Sequence, residues 1–300
     1  MPTTTEKPGV LCLGSALWDV IGRTDRDMPY GADRPGRVQR VPGGVAMNIA
    51  MALARRGHRP ALLTHVGEDD EGRALLAEAE AQGLETAFVT RSPNLPTDRY
   101  MAIEGPGGLV AAIADAHALE AAGDAILAPL ADGRLGSAAE PYAGLVAIDG
   151  NLTGDVLESF AASPLFAKAD LRIAPASPGK AERLRPLLGS GRTTIYVNLE
   201  EAGLLAGADF SAARQAAEAL AKAGARRVLV TDGPRAACAL FDGEAFVAMP
   251  PPTAVRRVTG AGDMFMAAHI AAELASASAE DALNVALKAA AAHVAGGART

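Results

Sequence analysis

The residues best able to do chemistry lie late in the chain, in Val258-Thr259-Gly260-Ala261-Gly262-Asp263. Glycines on either side of Ala261 let the backbone turn tightly and leave amide N–H groups uncovered. An alanine-rich helical pattern follows from about 262 to 276, and its positive N-terminal end faces the same spot. An anion, above all a phosphate, suits such a place. Asp263 adds a carboxylate in the first turn, as a general base needs if it is to deprotonate a hydroxyl for attack on phosphorus. The same hexapeptide also reads as a helix entered through a glycine turn and capped by a carboxylate. The stretch by itself leaves both readings open.

Other polar residues recur just after apolar runs. Asp19 follows the first run, and Pro42-Gly43-Gly44 leads into a helical pattern that carries Asn48. Gly43 and Gly44 allow a ligand to approach the backbone closely, and Asp19 with Asn48 could grip vicinal hydroxyls of a sugar. Asp149 and Asn151 close a run at 145–149, and Lys180 opens a helical stretch, where it could meet a phosphoryl group. Asn198 and Glu201 follow a run at 194–197, an amide and a carboxylate suited to a hydrated Mg²⁺. Thr231, Asp232 and Gly233 follow a run at 227–231. Each of these positions also favours an ordinary helix cap or turn. Their joint placement after strands points to a site, because ligands bind outside the carboxyl ends of strands in open α/β sheets.

The elements that must position these residues alternate. Strands are predicted at 10–14, 61–66, 145–149, 171–174, 194–197 and 227–231, and helices at 49–56, 69–82, 153–162, 179–188, 211–224, 262–276 and 279–295. This alternation predicts an α/β fold: a mainly parallel sheet with helices on both faces, in one domain spanning 1–300. Two stretches break the pattern. Residues 15–42 and 97–115 read as small β insertions, the second a hairpin about Pro106-Gly107-Gly108. A hairpin interrupting a βαβ series is a candidate lid. A further hairpin is predicted about Asp242-Gly243.

Composition narrows the partners. The chain of 300 residues is 49% hydrophobic but only 4% aromatic, so its core must be built from Ala, Val, Leu and Ile. A net charge of −7 argues against a nucleic-acid or membrane-surface partner, while a small anion remains open. No apolar run is long enough to span a bilayer, and no secretory leader pattern precedes Lys7. Cys12 and Cys238 match no metal spacing, and two buried free thiols in a cytoplasmic protein are expected. No Walker A sequence, G-x-S-x-G elbow, H-E-x-x-H motif or G-x-G-x-x-G after the first strand is present.

Together Gly43-Gly44 with Asn48, Val66-Gly67-Glu68-Asp69-Asp70-Glu71-Gly72, Asn198 to Glu201, and Thr259-Gly260-Ala261-Gly262-Asp263 resemble the ribokinase-like carbohydrate kinase family, in the family's order, from about residue 9 to 295. Within it the chain is similar to the pseudouridine kinase branch in 31–38, 112–115, Asp149-Gly150-Asn151-Leu152 and 175–181. The resemblance implies a ribokinase-like three-layer fold and ATP-dependent phosphorylation of a primary hydroxyl, here the 5′-hydroxyl of pseudouridine. It implies that Asp263 is the base and that the Gly260, Ala261, Gly262 and Asp263 backbone stabilises the transferring phosphoryl group. Asp19, Gly43, Gly44 and Asn48 would hold the ribose. Lys180, Asn198, Thr231 and Gly233 would line the nucleotide site, with Glu201 and Asn198 positioning Mg²⁺ through water. It also implies a homodimer paired through the lid.

Four departures stand out. Ala174 replaces an acid common before the Pro-x-Ser stretch, Ala267-Ala268 stand where relatives carry glycine, and Arg257-Val258 stand where relatives carry an acid or Thr. The chain ends at Thr300, which makes the segment completing a monovalent-cation loop look short, so K⁺ activation is not expected. Other sugar or nucleoside kinases of this fold, such as ribokinase, adenosine kinase or a fructokinase-like enzyme, and a non-catalytic sensor built on it, are the competing expectations.

Overall fold

The computed structural model describes residues 7–296. Pro2 and Thr300, on which the expectations about a leader and a cation loop rested, lie outside these residues.

Strand β1 (Val10–Leu13) starts the main sheet, and Gly14, with φ 143°, turns the chain out of it. Strands β2 (Leu17–Arg23) and β3 (Arg37–Gly43) form an antiparallel hairpin that delivers the chain to helix α1 (Val45–Ala54). The apolar run at 61–66, predicted as one strand, divides into β4 (Ala61–Leu63) and β5 (His65–Gly67). The reason is pairing: β4 runs parallel to β1, which ends opposite Leu63, so the chain leaves the sheet and β5 pairs instead with β6 (Thr90–Ser92), beyond helix α2 (Asp70–Ala81). Strands β7 (Arg99–Gly105) and β8 (Gly108–Asp115) form the predicted hairpin. Short helices α3 (Ala118–Ala122) and α4 (Ala128–Ala131) return the chain to the main body.

From there alternation is regular. Strand β9 (Leu145–Asp149) leads to α5 (Gly154–Ala162), β10 (Asp170–Ala174) to α6 (Arg185–Leu188), and β11 (Thr193–Asn198) to α7 (Leu199–Ala206) and α8 (Ala213–Lys222). The helix predicted at 179–188 is a 3₁₀ segment, Pro178–Leu184, followed by the single turn of α6. Pro186 has no N–H to return to Glu182, so a continuous α-helix cannot form there. Strands β12 (Arg227–Asp232), β13 (Arg235–Phe241) and β14 (Glu244–Ala248) end the sheet, and α9 (Ala261–Leu274) and α10 (Ala279–Val294) close the described chain.

The main sheet has the order β14-β13-β12-β11-β10-β9-β1-β4. Its pairs are parallel except the β12–β13 and β13–β14 ladders. Strands buried on both sides read as unbroken apolar runs, as in Leu145-Val146-Ala147-Ile148. One face packs Leu11, Leu13, Val146 and Ile148 against Leu157 and Phe160 of α5 and Leu220 of α8. The other packs Val10, Cys12 and Ala147 against Ile49 and Leu53 of α1, Met266 of α9 and Leu283 of α10. The predicted three-layer arrangement, a mainly parallel sheet with helices on both faces, is the observed one. Ala267 and Ala268 are fully buried, so their methyls fill space in the core.

The two β insertions are one structure. Strands β3-β2-β7-β8 form a separate four-stranded sheet, with β2 and β7 parallel. Side chains tie it to the body. Trp18 donates from Nε1 to the Glu71 carbonyl at 3.0 Å, and Arg40 stacks 4.2 Å above the indole while pairing with Glu71. At the entry to β7, Asp69 accepts from the Thr97 N–H at 2.9 Å and from the Gly72 N–H at 2.8 Å. The acidic motif at 66–72 thus fastens the small sheet to the start of α2.

Candidate active site

Helix α9 begins at the predicted turn. Gly260 precedes it at φ 84° and ψ 0°, a left-handed conformation that suits glycine. The first-turn amides of a helix have no intrahelical acceptors and carry the positive end of its dipole. The Ala261 N–H departs from the expected role, because here it closes a turn on the Val258 carbonyl at 3.0 Å. Gly262 is exposed and Asp263 half-buried.

Asp263 meets Asn48. The Asn48 Nδ2 donates to Asp263 Oδ2 at 2.8 Å, so two residues singled out separately in the sequence share one site. Asn48 lies in the first turns of α1, which starts from Gly44 at φ 93°. A Cβ on Gly44 would come within 2.5 Å of the Ser15 carbonyl, and the Val45 N–H donates to Ser15 Oγ at 2.9 Å. The double glycine therefore lets α1 start against the end of β1.

Asp19 lies in β2, opposite Val41 and Tyr100 on one face of the small sheet. Its carboxylate lies directly against Gly43, in the space a Cβ there would need. Burial, and then the charges of Asp19 and Glu104, push the Tyr100 hydroxyl above its ordinary pKa. Sequence reasoning missed Tyr100; its signal, a tyrosine at alternate spacing in a strand, is indistinguishable from ordinary sheet packing.

A second cluster lies beside Gly44. Asp149, fully buried, accepts from both the backbone and the hydroxyl of Ser15, and from the Asn151 N–H at 2.8 Å. Asn151 donates to Ser15 Oγ at 3.1 Å and accepts from Lys180 Nζ at 2.5 Å. Lys180 is thereby linked through Asn151 and Ser15 to the start of α1. Ser15, a small residue after a glycine, gave no sequence signal of this role.

Asn198 and Glu201 form a capping box on α7. Glu201 N–H donates to Asn198 Oδ1 and Asn198 N–H to Glu201 Oε2, both at 2.8 Å. Burial pushes the Glu201 carboxyl up to about 7, against the pull of the Asn198 N–H. Glu201 Oε1 has no hydrogen-bond partner among the described residues. Thr231 is the register partner of Asn198, so the ends of β11 and β12 lie side by side, and Gly233 follows at φ 55° in open space. Asp232 pairs instead with Arg235. Apart from Lys180, which joins the Asn151–Ser15 cluster, the predicted residues fall into two groups along the carboxyl edge of the sheet. Asp19, Gly43, Gly44, Asn48 and Asp263 meet about α1, and Asn198, Glu201, Thr231 and Gly233 lie at the ends of β11 and β12.

The profile of the pfkB family carbohydrate kinases matches residues 7–298. Pseudouridine kinase of Escherichia coli K12 is 30% identical over 87% of this chain and 82% of its own length. The uncharacterised sugar kinase YeiI of the same organism is 29% identical over 96% of this chain and 78% of its own. The structure of Arabidopsis thaliana ribokinase complexed with ribose and ATP superposes with a TM-score of 0.75 at 24% identity, covering 96% of this chain and 93% of that one.

Proposed function

The chain belongs to the pfkB family of carbohydrate kinases, and we propose that it transfers the terminal phosphoryl group of ATP to the 5′-hydroxyl of pseudouridine. Phosphotransfer to a hydroxyl follows from the family. The observation that carries the nucleoside is the similarity to pseudouridine kinase over most of both chains. The near-equal similarity to YeiI favours a second reading, phosphorylation of another sugar or nucleoside by the same site.

In this reading Asp263 takes the proton from the attacking hydroxyl, and the Asn48 amide orients its carboxylate. The positive start of α9, with the backbone N–H groups of Gly260, Gly262 and Asp263, faces the charge of the transferring group. Asp19, Gly43, Gly44 and Asn48 hold the ribose. Lys180, Thr231 and Gly233 line the nucleotide side. Asn198 and Glu201 are the residues that would hold hydrated Mg²⁺. Their fit is chemical: a buried carboxylate with a raised pKa is short of positive charge, and a hydrated dication needs few protein ligands. When bound, the ion supplies neutralisation of phosphate charge.

The small sheet adds a partner to the proposal. Strand β8 is an exposed edge carrying Leu109, Val110 and Ile113, and Met101 lies opposite Ile113. An apolar edge strand of this length is a pairing template unless covered, and a second copy of the chain is the occupant we propose.

The test of the function is ATP consumption with Mg²⁺ and pseudouridine, uridine, adenosine, ribose or fructose. Turnover with pseudouridine well above uridine is the expected result. Turnover with a free sugar alone would keep the family chemistry and overturn the nucleoside assignment.

A further inference from the structure

We propose that His293 is a positioning residue for phosphoryl transfer, holding the Thr259–Gly260 peptide so that its N–H points away from α10 at the start of α9. The proposal rests on the start of α9 being the phosphoryl site.

His293 is buried in the last turn of α10, far in sequence from the glycine turn. Its Nε2 lies 2.8 Å from the Thr259 carbonyl oxygen. A carbonyl can only accept, so the ring carries its proton on Nε2. Nδ1 faces Arg257 Nη2 at 3.2 Å, and a guanidinium can only donate, so Nδ1 accepts. Both partners thus select the same neutral tautomer. Arg257 Nε also donates to the His293 carbonyl at 3.0 Å, and the backbone N–H groups of Arg256 and Arg257 donate to the Val294 carbonyl at 2.9 and 3.2 Å. The chain entering the turn is therefore laced to the end of α10 on both sides of the imidazole. Arg257, a departure from the family's acid, is a working part of this lacing.

The consequence follows from the planarity of the peptide. In a trans peptide the C=O and the next N–H point in opposite directions. Fixing the Thr259 oxygen toward His293 turns the Gly260 N–H to the other side. No hydrogen bond to that N–H is present among the described residues. A Cβ on Gly260 would lie 3.2 Å from His293 Nε2 and 3.9 Å from Asp263 Oδ2, so the imidazole, the glycine and the carboxylate are neighbours. The N–H is thus a donor turned away from α10 at the start of α9, one glycine Cα from the imidazole and close to the residue that carries the Asp263 carboxylate. His293 itself touches no reacting atom; it acts through the peptide it holds.

Variants His293→Leu, His293→Gln and His293→Asn test this, with Asp263→Asn measured alongside. For each, kcat, both KM values and the melting temperature are determined with whichever acceptor of the panel turns over. Binding of ADP with and without aluminium fluoride, a mimic of the transferring group, supplies a readout that needs no acceptor. Glutamine places an N–H where Nε2 stood, leucine has none, and asparagine falls short. We expect His293→Leu to lower kcat by about 100-fold with both KM values nearly unchanged, the scale of a small misplacement at a reacting centre. It should weaken binding of the ADP–aluminium fluoride complex but not of ADP alone. His293→Gln should recover most of both losses, and His293→Asn should not. If His293→Leu unfolds the chain, the Gln and Asn pair still decides. Gln and Asn variants of equal kcat and equal aluminium fluoride affinity per folded molecule would overturn the proposal. Full activity in Asp263→Asn would instead overturn the site on which it rests, whatever the His293 variants do.

Discussion

The Asn48 amide donates to Asp263 Oδ2 across 2.8 Å, joining the start of α1 to the first turn of α9 over a sequence separation of 215 residues. One side chain thus links the place proposed for the sugar to the carboxylate proposed as the base. Asp263→Asn is expected to lower kcat by at least about 100-fold. Asn48→Ala is expected to lower kcat about tenfold, since a hydrogen bond to a charged group contributes about 1.5 kcal/mol. Asn48→Ala should also raise KM for the acceptor while leaving KM for ATP close to its wild-type value. Steady-state kinetics with each substrate varied checks both; equal losses for ATP and acceptor would rule out the role of Asn48 at the sugar.

Gly43 and Gly44 separate two effects. A methyl on Gly43 would strike the Asp19 carboxylate, a side-chain tip that can swing away. Gly43→Ala should therefore fold and show a raised acceptor KM. A methyl on Gly44 would meet the Ser15 backbone at 2.5 Å, and φ is 93° there, so neither neighbour nor dihedral can yield. Gly44→Ala should lose stability outright, seen as a lower melting temperature with or without substrate.

Glu201 sets a pH dependence. Its carboxyl rises from an ordinary 4.5 to about 7 because burial penalises the charge. Between these values the folded state holds the proton more tightly than the unfolded chain does. Ionisation of this group therefore withdraws stability as pH rises from about 4.5 to about 7. Glu201→Gln keeps an acceptor for the Asn198 N–H and removes the ionisation. Its melting temperature relative to wild type should climb as pH rises from about 4.5 to about 7 and level off above. A constant difference across that range would show that Glu201 titrates normally.

At the far end of α9, Glu273 pairs with both Arg172 and Arg227, and Arg172 also pairs with Asp170. Removing the carboxylate leaves the buried Arg172 short of a partner, at a cost of about 3 kcal/mol. Glu273→Gln should lower the denaturation midpoint without altering either KM. His269, beside this cluster, is pushed from 6.5 down to about 4, mainly by burial. The unfolded chain takes up its proton first as pH falls through that interval, so His269 makes acid unfolding easier.

The exposed edge of the small sheet predicts an assembly. Ile113 is 66% exposed on β8. If a second copy covers it, Ile113→Lys should halve the mass measured by light scattering, with the far-ultraviolet spectrum unchanged. A wild-type chain that is monomeric at every concentration would remove the need for a covering partner.

Much of this protein is local and therefore written in the sequence. Gly260, Gly262 and Asp263 mark a glycine turn and a helix start because φ preference and helix ends are properties of a few consecutive residues. The order of strands and helices follows in the same way from apolar runs and helical spacing, although Pro186 and the strand break at Thr64 escaped that reading. The family motif at Asp69 was legible as a pattern, but its work in fastening Thr97 was not.

Convergence is what only the tertiary structure decided. The residues read as Asp19 with Asn48 at a sugar and Asp263 apart from them, and the placement of α9 across the sheet brought Asn48 to Asp263. Ser15 became the hub of Asp149, Asn151 and α1 because β1 and β9 are neighbours in the sheet, an order that no local pattern encodes. His293 reached Thr259 because α10 packs back along α9 and ends level with the start of that helix. Hydrophobic burial selects such packings by summing many weak, non-directional contacts over the whole chain, so the partners of a polar side chain are settled only once the core has closed.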